Sequence, residues 1–359
     1  MTVQRIGLII VLLLNVGLCC SAPEHRLPEQ YSGLPSESSV LFVGDMMFEW
    51  AVKDTMSKKG VDYPLQNIQS FLHSFDFVMA NLETPLTNNS FGDSSFDKKY
   101  IFKTTMDIAP LLHKAGIHAV TIANNHILDY GVGGLTDTLV ALSSCNILYA
   151  GAGINETTAS QPIFCKLGTM QMVIICYTQI CSKDMIARDN PGVNFFELSK
   201  AIQDIQRYRF ADFIVINLHW GNEYFYYPSS KQIGIAHALI DAGADVIVGH
   251  HPHVYQGIEI YKNKPIIYSL GNFLFGSMHE GINDTIACAL YIAPGGKITR
   301  IRVYAIKGKF DDQIIQPEVL GADDATHLLH HFFQISKPLD GNFVNRAYIT
   351  NNYIEYNFR

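Results

Sequence analysis

Carboxylate, carboxamide and imidazole side chains recur at five points in the sequence, each directly after a short apolar run. VLFV (40–43) leads to Gly44-Asp45, FVMA (77–80) to Asn81-Leu82-Glu83, and AVTIA (119–123) to Asn124-Asn125-His126. FIVINL (213–218) leads to His219-Trp220-Gly221, and VIVG (246–249) to His250-His251-Pro252-His253. Oxygen and imidazole donors without thiolate suit zinc, manganese or iron better than calcium. The candidates outnumber the ligands of a closed zinc site. They suffice for one or two divalent ions, and for two if a carboxylate bridges them, the arrangement that binds a phosphoryl oxygen and generates a hydroxide nucleophile. Ligation needs neutral imidazole, so affinity for the metal should fall in acid.

The last cluster can be sorted by backbone preference. Pro252 pushes His251 toward an extended conformation, and residues two apart in an extended segment face one side. His251 and His253 are therefore expected to converge on one site, with His250 turned away as a supporting or core residue. His126, directly after Asn125, is placed beside the ligands as a general acid for a leaving oxygen; a loop histidine capping the next helix is the alternative. Glu223, in HWGNEY, reads either as an acceptor that orients a ligand imidazole or as a surface charge. Trp220 reads as a pocket wall or as core packing. Asn81 and Asn124 are supporting or substrate-binding positions.

The apolar runs that carry these residues have the length and β-branched content of buried strands, as does MVIICY (172–177). Segments of helical period lie between them. DIAPLLHKAG (107–116) and QIGIAHALIDAG (232–243) each end in glycine, a common helix stop, and GLTDTLVALSSC (134–145) is a third. The alternation predicts an α/β fold. Its strands' carboxyl ends would line a ligand crevice. Residues 257–275 read as a hairpin turning at Lys262–Lys264, and 284–306 as a pair about Pro294–Gly296, so the sheet should be mixed. His327, His330 and His331, at helical spacing in HLLHHFF, read as packing or surface residues.

The chain has 359 residues, 48% hydrophobic and 16% charged, which is enough for a large core. Its net charge of −7 and the lack of any Lys/Arg run exclude a nucleic-acid binder. Arg5 precedes the apolar run IGLIIVLLLNVGL (6–18) and the small residues CCSA (19–22), the pattern of a signal peptide over 1–22. An uncleaved N-terminal anchor is the alternative. No later segment is apolar for long enough to span a membrane, so the body is expected to be secreted or extracytoplasmic. Residues 23–38 read as a linker. Sequons at Asn88, Asn155 and Asn283 fit export, as in a glycoprotein. Five cysteines follow the leader, without CxxC spacing, and read as buried small hydrophobes with room for one disulfide.

Seven stretches in order resemble the CapA capsule-synthesis family, of the poly-γ-glutamate synthesis type. They are GDMM (44–47), ANLETPL (80–86), ANNHILDYG (123–131), GAG (151–153), HWGNEY (219–224), GHHPHVYQG (249–257) and YSLGNFLF (268–275). The resemblance covers roughly 39–280 and implies a calcineurin-like metallophosphatase fold: a four-layer α/β/β/α sandwich with metals at its strand ends. It implies a domain over 39–310, with 311–359 as an extension packed on it. Carried over by motif, Asp45 matches the opening metal ligand, Asn125 a ligand and His126 the general acid. His219 matches the isolated ligand histidine, and His251 and His253 the closing pair. Two positions depart from the wider superfamily. Met47 stands where a histidine is usual, and Asn81 and Glu83 replace the bridging aspartate; Glu83 is the better bridge.

The resemblance implies a metal-dependent hydrolase of phosphoesters, or of a related amide or ester, in making or exporting an anionic polymer. Membrane-bound synthase partners would follow. A non-catalytic scaffold that binds polymer or synthase, and a secreted phosphodiesterase unrelated to polymer, are the alternatives.

Overall fold

The computed structural model describes residues 37–89, 98–276, 284–308 and 315–358; the leader, most of the linker and Asn283 lie outside the described residues. Strands β1 (Ser38–Met47), β2 (Phe77–Leu82), β3 (Ala119–Thr121) and β4 (Leu148–Ala150) lie side by side in parallel. A two-stranded ribbon follows, β5 (Ala152–Gly153) with β8 (Gly192–Val193). Between them run β6 (Ile163–Leu167) and β7 (Met170–Thr178), and after them β9 (Phe213–His219) and β10 (Val246–His250). The chain continues through β11 (Ile258–Tyr261), β12 (Lys264–Ile267), β13 (Asn272–Phe275), β14 (Thr285–Ala293), β15 (Lys297–Ile306), β16 (Tyr348–Ile349) and β17 (Tyr353–Asn357). Every strand and helix expected above coincides with one of these elements or with a helix between them, but the hairpin about Lys262–Lys264 covers only Ile258–Ile267, since β13 leaves it to pair in parallel with β1 in the other sheet.

Two mixed sheets result. A nine-stranded sheet runs β16-β17-β15-β14-β1-β2-β3-β4, with β13 also paired to β1, and a six-stranded sheet runs β11-β12-β10-β9-β7-β6. Their strands read as continuous apolar runs because both faces are covered. Val40, Phe42, Phe77 and Met79 of one sheet share a core with Ile174, Cys176, Val215 and Val248 of the other. Alternate residues of the first sheet, such as Leu41, Val43 and Val120, pack on the helices Ile108–Ala115 and Gly131–Ser144. Those of the second, such as Ile175, Ile216 and Ile247, pack on Leu198–Arg207 and Ser230–Ala242. This is a four-layer α/β/β/α sandwich.

Residues 315–358 are woven into it. β17 pairs antiparallel with β15, and the helix Ala322–Ser336 sends Leu328, Leu329, Phe332 and Ile335 into the core between the sheets. His327 and His330 are exposed, while His331 Nδ1 meets the Tyr255 hydroxyl at 2.7 Å. All five described cysteines are unpaired. No helix among the described residues is long and apolar enough to cross a membrane.

Two glycines set how closely the strand ends approach. A Cβ on Gly44 would stand 1.9 Å from the Gly271 carbonyl oxygen, and one on Gly249 the same distance from the Tyr268 carbonyl oxygen. Each glycine precedes a site residue, Asp45 or His250. Gly44→Ala and Gly249→Ala are each expected to cost about 1–3 kcal/mol through forced backbone shifts. Gly234→Ala, on an exposed helix face with open space around it, should instead stabilise by about 0.5–1 kcal/mol. Thermal unfolding of the three variants measures both signs, and equal effects would contradict this account of the strand ends.

Candidate metal centre

β1 ends in an irregularity. Its parallel pairings with β2 and β13 both shift register around Asp45, a bulge-like break that re-aims the side chain. The Asp45 carboxylate is fully buried. Its Oδ1 accepts from Asn81 Nδ2 at 2.9 Å and lies 2.9 Å from His250 Nδ1; its Oδ2 accepts from the His251 amide at 3.3 Å. His253 Nδ1 is 3.5 Å from the same Oδ2. Burial works to raise this carboxyl, but hydrogen bonds and charge from His250 and His253 outweigh it and hold Asp45 well below its ordinary value.

Glu83 is also fully buried, and its Oε1 has no hydrogen-bond partner. That oxygen lies 3.7 Å from His219 Nε2 and 3.9 Å from His253 Nε2. Ligand atoms of Glu83, His251 and His253 gather within 4.8 Å, and so do those of Asp45, Glu83 and His219. Glu83 belongs to both groups. His251 Nδ1 is a second buried atom without a partner. An orphaned carboxylate oxygen and an orphaned imidazole nitrogen in one cluster are what a missing cation leaves behind, and the donor set suits zinc, manganese or iron. The residues fit a divalent metal.

Burial pushes Glu83 well above the ordinary carboxylate range, with His253 opposing and the Asp45 and Glu223 charges adding to it. Burial likewise draws His219 well below the imidazole range and His251 down to about 3, leaving both unprotonated and ready to ligate. For His253 burial again lowers, yet Glu83, Asp45 and Asn272 together raise it to about 9.

The remaining residues orient these. Asn81 donates to both Asp45 and Glu83, and its oxygen accepts from Asn124 Nδ2 at 3.0 Å, so its amide is fully engaged. Asn124 Oδ1 in turn holds the amides of His126 and Ile127. Asn125 Oδ1 sits 2.8 Å from His219 Nε2, at the edge of the second group. His126 stands beside the cluster with its Nδ1 2.6 Å from Asp129 Oδ2. Lys98 Nζ contacts both Asp129 and the Asn125 carbonyl. Burial pulls His126 below the ordinary imidazole value, against the Asp129 charge.

Several expectations change. His251 and His253 do converge, with rings 5.7 Å apart, but not along an extended segment. Their φ values are +96° and +58°: the strand ends at His250 and the chain turns, held by the His251 amide on Asp45. His250 is not turned away from the cluster but meets Asp45 directly. Trp220 is no pocket wall; it is fully buried, donates to the Tyr268 carbonyl at 3.0 Å and packs in the outer core. Glu223 is exposed and makes no hydrogen bond to a cluster imidazole among the described residues. Asn272, whose Oδ1 is 2.9 Å from His253 Nδ1, fills that place. Met47 packs with Phe102 and Phe275, and its sulfur accepts from the Glu49 amide. Asp129, Asn272 and Lys98 were missed. The first two lie inside quoted motifs, Asp129 one helical turn beyond His126, and that spacing was the available signal.

These shifts give a pH signature. His253, raised from 6.5 to about 9, contributes stability that is fully present below 6.5 and lost as pH rises through about 9. His251, lowered from 6.5 to about 3, contributes stability that is present above 6.5 and lost as pH falls toward 3. The chelator-treated chain should therefore melt at lower temperature as pH rises from 6.5 to 9, and saturating manganese or zinc should abolish that alkaline loss. A melting temperature insensitive to pH over that window, with chelator present, would contradict this ligand arrangement.

The pattern of the bacterial capsule synthesis protein family PGA_cap matches residues 39–277. The chain is 34% identical over 267 residues to the capsule biosynthesis protein CapA of Bacillus anthracis, covering 72% of this chain and 64% of that one. It is 35% identical over 261 residues to the PGA biosynthesis protein CapA of Bacillus subtilis, covering 72% and 68%. It thus spans about two thirds of the length of these relatives. A 5'-nucleotidase precursor from Thermus thermophilus superposes with TM-score 0.47 at 12% identity, over 87% of this chain and 60% of that one. With the family pattern spanning the strands that carry every residue of the cluster, the chain belongs to the PGA_cap family of capsule synthesis proteins.

Proposed function

We propose that the chain is a metal-dependent phosphoester hydrolase that works outside the cytosol in building or exporting an anionic polymer, alongside membrane-bound synthase partners. The observation that carries this reading is the orphaned Glu83 oxygen, common to two groups of ligands, with the His126–Asp129 pair beside it. Asp45, Glu83 and His219, with Asn125 beside His219, would hold one ion; Glu83, His251 and His253 would hold the other. Bound there, divalent ions supply positive charge for a phosphoryl oxygen and make water acidic enough to attack.

The protein's own groups divide the remaining work. Asp129 fixes the His126 ring and its tautomer through Nδ1, leaving Nε2 for the leaving oxygen. Free His126 is drawn toward its neutral form by burial. An arriving phosphate supplies the negative charge that favours its protonation. Hydrolysis then forms a bond from water oxygen to phosphorus and breaks the bond to the leaving oxygen. That oxygen takes the His126 proton, and the proton lost by water passes to solvent.

The scaffold reading is favoured by one observation. The Met47 sulfur is taken by the Glu49 amide, so the first ion lacks a ligand that the wider superfamily provides. Metal analysis with turnover of phosphomonoesters and diesters in manganese or zinc separates the two. Glu83→Gln should lose bound metal. His126→Ala should keep it while kcat falls by about 10²–10⁴, with Asp129→Asn intermediate. No metal after repletion removes the site itself; metal without turnover on any ester leaves the scaffold.

A further inference from the structure

The mouth of the centre is walled by aromatic rings that carry backbone strain. Trp50, 38% exposed, meets Tyr100 at 5.5 Å and Phe102 at 4.9 Å between ring centroids, both edge-on. Phe102 continues inward to His126 at 4.2 Å, and Phe275 to His253 at 4.7 Å. Tyr224 stands 6.2 Å from the same His253 ring. Tyr100 is 49% exposed. The wall thus runs unbroken from the general acid and one ligand histidine to solvent.

Trp50 has φ +53° and ψ −130°, and Tyr224 has φ +64°. Bulky residues rarely adopt this backbone, and such strain persists where the surroundings impose it, often at ligand clamps. Both strained residues are aromatic and both stand at this opening. Charges here are few and mixed: Lys98 is tied to Asp129 and the Asn125 carbonyl, Lys99 lies over the Tyr100 ring, and Glu223 exposes its carboxylate next to Tyr224 in the chain. That suits a flat, uncharged group better than a run of carboxylates.

We infer that Trp50, Tyr100 and Tyr224 form a stacking site for a planar, uncharged ring on the leaving-group side of the substrate. The substrate class is then aryl or nucleoside phosphoesters. This rests on the hydrolase reading for the word substrate, but the stacking site can be tested without turnover.

Trp50 and the buried Trp220 are the only tryptophans in the chain, so fluorescence reports the mouth directly. Adenosine 5'-monophosphate and phenyl phosphate should quench it, while ribose 5-phosphate, which offers the nucleotide's phosphate and leaving alcohol without its planar base, should not. The metal-loaded protein should bind the adenosine compound at least about tenfold more tightly than ribose 5-phosphate, a typical effect of stacking one base. Trp50→Gly, which suits the left-handed backbone and should fold, ought to bring that ratio, read by titration calorimetry, near one. Phenyl phosphate bound as tightly as the nucleotide would assign a single-ring aryl ligand; weaker binding would assign a nucleoside. Equal affinity for the two sugar phosphates, or equal quenching by a polyglutamate oligomer, overturns the inference. Quenching and discrimination without turnover would keep it and defeat the hydrolase; turnover without discrimination would do the reverse.

Discussion

A carboxylate with no access to water organises the centre. Asp45 is buried at the end of β1, where an isolated charge would cost far more than the fold could offset. It is tolerable only because Asn81 from β2, His250 from β10 and the His251 amide all reach it. Those partners come from both sheets. The same contacts that satisfy the charge therefore fix the two sheets' strand ends against one another, and Glu83, His219 and His253 take their places around that junction. Stability and ligand geometry are not separable here: weakening Asp45 loosens the register of everything around it.

The cluster is also dry and asymmetric. Burial keeps His219 and His251 unprotonated, while His253, facing both carboxylates, keeps its proton well above neutrality. Without metal, that proton balances the buried negative charge of Asp45. A divalent ion competes for the same place, so metal and proton exchange at one position. The neighbouring His126 escapes this competition because its Nδ1 is committed to Asp129, outside the ligand groups. On the proposed reading, metal binding and proton transfer fall to different imidazoles.

Much of this was legible in the sequence because a parallel sheet concentrates its chemistry at strand ends. Apolar runs marked the strands, and the polar residues just after them marked the rim. What stayed hidden depends on partners distant in sequence or on backbone geometry. His251 and His253 were paired for the wrong reason: a rule for extended backbone cannot anticipate a turn that a side chain on β1 imposes. Trp220 reads from sequence as pocket wall or core packing, and the second holds: the side chain after a strand-end residue faces the opposite layer, where Tyr268 receives it. Asn272 was quoted in a motif without a role, since only the pairing of β13 with β1 brings it opposite Asp45.

The position of β17 bears on when this centre can exist. Asp45 lies on β1, which pairs with β14; β14 pairs with β15, and β15 with β17, at residues 353–357. The helix Ala322–Ser336, which braces the segment after His253 through Ser336 on the Ile258 amide, also comes late in the chain. An early strand thus waits for partners more than two hundred residues downstream, and such non-local pairing is slow. The ligand arrangement is therefore complete only once the late strands have docked on the early ones.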